Sequence, residues 1–126
     1  MKHFVFAALL ASLPMTALAH GSAPAAQHGG SVAETSDEHW VELVLKDNQM
    51  IVYVNDPANK PVPSASIGAK ATVLVGGKAQ QVVLVPADAN ALTARLDPAA
   101  AGKVTSVITL TIGGKSGQVR FVTTQP

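Results

Sequence analysis

The chain has 126 residues and no cysteine, which excludes disulfides, thiolate metal sites and cysteine nucleophiles. Nine Lys and Arg against eight Asp and Glu give a formal charge of +1, too close to neutrality to draw nucleic acid or an acidic membrane surface. Charged residues make up only 13% of the chain, while small and β-branched residues dominate, a composition that favours strands over surface helices.

Residues 1–19, MKHFVFAALLASLPMTALA, have the layout of a secretory signal peptide: a basic start at Lys2, an apolar run, and an Ala17-Leu18-Ala19 cleavage site. The apolar run is about half the roughly 20 residues that a membrane span requires, so an exported chain without a retained span is expected, in the periplasm or outside the cell. Cleavage would leave 107 residues beginning at His20, enough for one small domain.

Residues 20–38 hold Gly, Ser, Thr, Ala, Pro, Gln, two His and acids with a single Val, too little apolar surface to offset the entropy of ordering, and predict a flexible arm. From His39 onward the pattern becomes strand-like, which sets the domain at residues 39–126. "HWVELVL" (39–45) and "QMIVYVN" (49–55) flank the turn pair Asp47-Asn48 and predict a hairpin with Val41, Leu43 and Leu45 inward. The three prolines of residues 56–66 predict a loop or irregular edge crossing between sheets. "KATVLV" (70–75) and "KAQQVVLVP" (78–86) enclose Gly76-Gly77, whose tolerance of positive φ suits a two-residue turn.

"ALTARL" (91–96) alternates Leu92, Ala94 and Leu96 with Thr93 and Arg95, and a corner follows at Asp97-Pro98. "VTSVITLTI" (104–112) and "GQVRFVT" (117–123), joined through Gly113-Gly114, close the series with Ile108, Leu110, Ile112, Val119 and Phe121 inward. About seven regularly spaced strands with no helical period predict an all-β fold, an immunoglobulin-like antiparallel β-sandwich preceded by a flexible arm.

Catalytic chemistry finds little support. The domain has no His after His39, its Ser and Thr sit as outward strand residues, and Asp88 and Asp97 lie in turns, where Asp bonds the backbone. The protein is therefore not expected to be an enzyme. The three histidines left after cleavage, His20, His28 and His39, all fall in its first twenty residues and are the candidate metal ligands. Cleavage before His20 would give that residue a free amine beside its ring, and together these can chelate one metal.

A second imidazole from His28 or His39 would complete a nitrogen-rich site suited to Cu(II), with Zn(II) or Ni(II) less favoured. Binding displaces protons from these ligands and so weakens in acid. Eight residues separate His20 from His28, and extended chain covers about 3.3–3.6 Å per residue, so the two can meet. Glu34, Asp37 and Glu38 are nearby oxygen donors, and Met50 is a thioether that reads more naturally as a core filler.

His28-Gly29-Gly30, Glu42 to Leu45, Tyr53-Val54 with Asp56 and Lys60 to Val62, Leu84 with Pro86-Ala87, Asn90 and Leu92, and Val119 to Phe121 form a pattern across nearly the whole chain after the signal. In it the chain resembles a group of small exported bacterial proteins, mostly of unassigned role and sometimes associated with heavy-metal handling. The group's pattern allows a histidine after the Asp of the "YV.D" segment, where this chain has Pro57. A more distant likeness, through His20 and architecture, is to the periplasmic copper-resistance carriers. These likenesses imply metal sequestration or delivery to an efflux or resistance component. The alternative is a metal-independent interaction module whose strand edges or proline-rich segment dock a periplasmic partner.

Overall fold

The structure is a computed structural model that describes residues 22–126, so the signal peptide expected at residues 1–19 and the candidate ligand His20 lie outside the described residues. Eight strands make up almost all of it: β1 Ser31–Glu34, β2 Trp40–Lys46, β3 Gln49–Asn55, β4 Ile67–Val75, β5 Lys78–Asp88, β6 Ala91–Arg95, β7 Gly102–Ile112 and β8 Lys115–Gln125. A single 3-10 turn, Ser64–Ser66, precedes β4. Among the described residues no helix is long and apolar enough to cross a membrane.

The expected hairpins form where turn chemistry places them. Asp47 takes φ +55 between β2 and β3, Gly76 and Gly77 take +57 and +79 between β4 and β5, and Gly113 and Gly114 take +58 and +78 between β7 and β8. Positive φ at the centre of a two-residue turn matches the twist of the flanking strands, which is why these pairs set the register. The proline-rich segment carries the chain from β3, which pairs with β2 and β6, to β4, which pairs with β5 and β7. It is tied down by Asp56, whose backbone C=O and side chain accept the Asn59 and Lys60 amides, and by Val62 N–H donating to the Val54 carbonyl.

All-β antiparallel architecture is what the strand pattern predicts and what forms. The strands make one nearly closed, barrel-like sheet in the order β1-β2-β3-β6-β5-β4-β7-β8. The eleven-residue β5 is the reason. Its first part, Lys78 to Leu84, pairs with β4, and its last part, from Val85 to Asp88, pairs with β6, with an irregularity between Pro86 and Asp88. One long strand therefore belongs to both halves and joins them, changing partner between Leu84 and Val85. Inward-facing side chains fill the interior, with Val41, Met50, Val52, Val54, Leu92 and Ile108 fully buried. Met50 is thus a core residue.

The domain also begins earlier than its apolar pattern suggests. Residues 31–34, within the segment expected as an arm, pair with β2 in the register Ser31↔Leu43 to Glu34↔Trp40. Ala33 packs on the core from this short edge strand. A four-residue strand with one Val has no periodic signature, and it forms because a preformed neighbour supplies the hydrogen bonds.

Candidate functional site

The outer face of the β2–β3 hairpin carries the site. Counting outward from Asp47-Asn48 sets Glu42 opposite Tyr53 and Trp40 opposite Asn55. Val41 and Leu43 point inward and are buried, so Glu42 points outward, yet it too is only 7% exposed. Its cover is the chain before β1, which leaves the sheet at Gly30 and crosses this face.

Glu42 anchors that crossing. Oε1 accepts the Gln27 amide at 3.0 Å, and Oε2 accepts the His28 amide at 2.8 Å and the Gly30 amide at 2.9 Å. The His28 ring adds Nδ1 at 3.1 Å from Oε1. Burial alone pushes the carboxyl pKa up, but the bonds from the Gly30 amide, the His28 ring and the Gln27 and His28 amides outweigh it, so Glu42 lies below its ordinary value of 4.5. The ionised carboxylate can only accept, so Nδ1 is the donor in this contact.

One face of the imidazole lies on Tyr53, ring centroids 3.6 Å apart and planes within 1° of parallel. His28 is therefore held in both position and plane. No described residue hydrogen-bonds its Nε2. Beneath the arm, a cavity of about 30 Å³ bounded by His28, Trp40, Glu42, Tyr53, Asn55 and Asn90 offers the volume of a single water.

His39 has a different setting. It ends the β1–β2 turn, where its amide donates to Thr35 Oγ1 at 3.0 Å and its Nδ1 lies 3.3 Å from Asp37 Oδ2. That approach lacks hydrogen-bond geometry, and Nδ1 is buried without another partner. Thr35 Oγ1 donates to Asp37, and Ser36 Oγ accepts the Gln118 amide at 3.4 Å, tying the turn to β8. A Cβ at Gly117 would lie 2.3 Å from Asp37 Oδ1, so the Asp37 carboxylate rests directly on β8 there.

Of the three expected ligands, the structure thus sets His28 on Glu42 and His39 on Asp37, two different carboxylates, while His20 lies outside the described residues. Among the described residues no group of three or more His, Asp or Glu is placed to hold a metal ion. Glu42 and Tyr53 are the site residues that ligand spotting misses. The symmetry of the hairpin about residues 47–48 is the signal that pairs them. Comparison with protein-family models, curated proteins and solved structures finds no match to this chain.

Proposed function

We propose that this protein is an exported binder of a divalent transition-metal ion, copper(II) ahead of zinc(II) or nickel(II), which it sequesters or hands to an efflux or resistance system. The observation that carries this reading is the fixed ring of His28. Ligating histidines generally donate their second ring N–H to a carboxylate, which sets the tautomer, fixes the ring and raises its basicity. Glu42 stands in that relation to Nδ1 at 3.1 Å, which leaves the lone pair on Nε2. Both oxygens of Glu42 are engaged by arm amides, so it orients the ligand and does not itself bind the ion.

His28 alone cannot hold the ion. The reading therefore requires His20, whose ring and free amine would supply the remaining nitrogens in a chain processed before that residue. His39, engaged in the turn, takes no part. Titration calorimetry of copper(II) and zinc(II) into the processed chain at near-neutral pH tests this. Copper affinity should fall at least about tenfold in His28→Ala and on acetylation of the terminal amine, and stay unchanged in His39→Ala. Equal affinity of wild type and His28→Ala would overturn the reading.

A further inference from the structure

A net charge near zero excludes attraction to an acidic surface only if the charges are evenly spread, and here they are not. Residues 67–87 and 102–126, which form β4, β5 as far as Ala87, β7 and β8, carry Lys70, Lys78, Lys103, Lys115 and Arg120 and no acidic side chain. All eight Asp and Glu lie in residues 22–66 and 88–101, against Lys46, Lys60 and Arg95. The two halves of the sheet therefore bear opposite charge, a separation that pairing creates by setting β4, β5, β7 and β8 side by side.

The basic half presents one continuous outer face. Burial alternates along its strands, so Val73, Leu84, Ile108 and Phe121 point inward and their neighbours outward. Register then sets the outward residues in rows across the strands: Val83, Lys70, Thr109 and Gln118, next to Gln81, Thr72, Val107 and Arg120. A further row holds Ala79, Leu74, Thr105 and Val122, and Lys103 stands beyond it opposite Thr124. None of these rows contains an acid to neutralise its cations. Neutral polar groups of the face bond one another, Gln118 Nε2 to Thr109 Oγ1 at 3.2 Å and Thr111 Oγ1 with Ser116 Oγ at 3.1 Å.

The same half carries the exposed aliphatic surface. Among the described residues the exposed large hydrophobics are Leu74, Val83, Val85 and Val122, all on β4, β5 or β8, with Val83 at 73% exposure. Scattered singly such residues mean little, but four of them interleaved with unneutralised cations on one face mark an interaction surface. Between Lys70, Thr72, Val83 and Val107 that face dips into a trough of about 470 Å³, within the range of small-molecule sites, whose one charged lining residue is Lys70.

We infer that the outer face of β4, β5, β7 and β8 docks on an anionic lipid bilayer. Charge complementarity selects an anionic partner, and the exposed aliphatic residues select among anionic partners. A hydrophilic polyanion would satisfy Lys70, Lys103 and Arg120 but leave the valines in water. A second copy could offer its acidic half, yet that half exposes none of the four large aliphatics, so it brings no apolar match. A lipid surface supplies both, phosphate headgroups for the cations and the acyl boundary for the aliphatic side chains. In the nearly closed strand order β4 and β7 stand opposite β2 and β3, so docking leaves the His28 face turned away from the bilayer. This inference is independent of the metal reading.

Flotation of the processed chain with vesicles of phosphatidylcholine alone, and of phosphatidylcholine mixed equally with phosphatidylglycerol, tests it. The chain should float with the mixed vesicles and not with the neutral ones, and added salt should weaken the binding. Each cation at an anionic surface contributes about a fivefold factor, so Lys70→Gln combined with Arg120→Gln should lower affinity about 25-fold. Val83→Ser combined with Val85→Ser should lower it about fivefold or more. Lys46→Gln combined with Lys60→Gln, on the acidic half, should leave it unchanged. All six positions lie on the outer surface or in turns, and circular dichroism checks that each variant folds. No flotation with the mixed vesicles, equal flotation with the neutral ones, or indifference to the Lys70 and Arg120 substitutions overturns the inference. Salt-sensitive self-association without vesicles, abolished by those same substitutions, would give the face to a second copy and also overturns it.

Discussion

Glu42 shows how one side chain can be read two ways. In the sequence it is an outward acid on a half-buried strand, and in the structure it is the anchor of the segment that carries His28. Because its folded pKa is lowered, its contribution to stability is complete above the ordinary value of 4.5 and is lost as pH falls through the lower folded value. Glu42→Gln replaces an acceptor-only group with one that donates on one side, leaving arm amides unpaired at a cost of about 1–3 kcal/mol. Thermal unfolding of wild type and variant should differ by that amount near neutrality and converge in acid below the folded pKa. A difference that persists unchanged at the lowest pH would show that the charge is not what holds the arm.

β1 and the arm before it depend on one close approach at the scale of the element. Gly30 lets the chain pass over the Leu43 carbonyl, and Gly29 with φ +73 turns it out of the sheet. Gly30→Ala would force these backbones apart, since the clash is with main chain and the nearest side-chain atom, on Val44, is also only 2.9 Å away. A loss of about 1–3 kcal/mol is expected, with faster proteolysis between residues 22 and 34 while β4, β7 and β8 stay protected. Uniform loss of protection across all strands would place β1 inside the cooperative core instead. The hairpins around residues 47–48, 76–77 and 113–114 were legible because turn residues and alternation agree there. β1 was not legible, because its only reason to be a strand is β2.

For the molecule as a whole, one interior serves both halves of the sheet. Ile108 is fully buried on β7, with Ala71 of β4 and Val119 of β8 in register on either side. Small Ala71 offers little to refill a void there. Ile108→Ala is expected to cost about 2–5 kcal/mol and Ile108→Val about 0.5–1.5 kcal/mol, read from the denaturant midpoint at unchanged slope. A change of slope would mean that the two halves unfold separately, against a single core joined through β5.

Sequence alone determined what is local: the all-β class, the turn positions, and the inward identity of Val41, Leu43, Leu92, Leu110 and Phe121, because a period of two and positive-φ turn residues are written in neighbouring positions. It also placed His28 in a Gly-rich segment, without showing what that ring would meet. Closure into one barrel-like sheet was decided only by tertiary structure, since sandwich and barrel share the same alternation and differ in which edges a long β5 joins. The partnership of His28 with Glu42 and Tyr53 was decided in the same way. It arises where the chain folds back across a face whose residues, taken in order, look solvated, and only contact between distant segments can bury them.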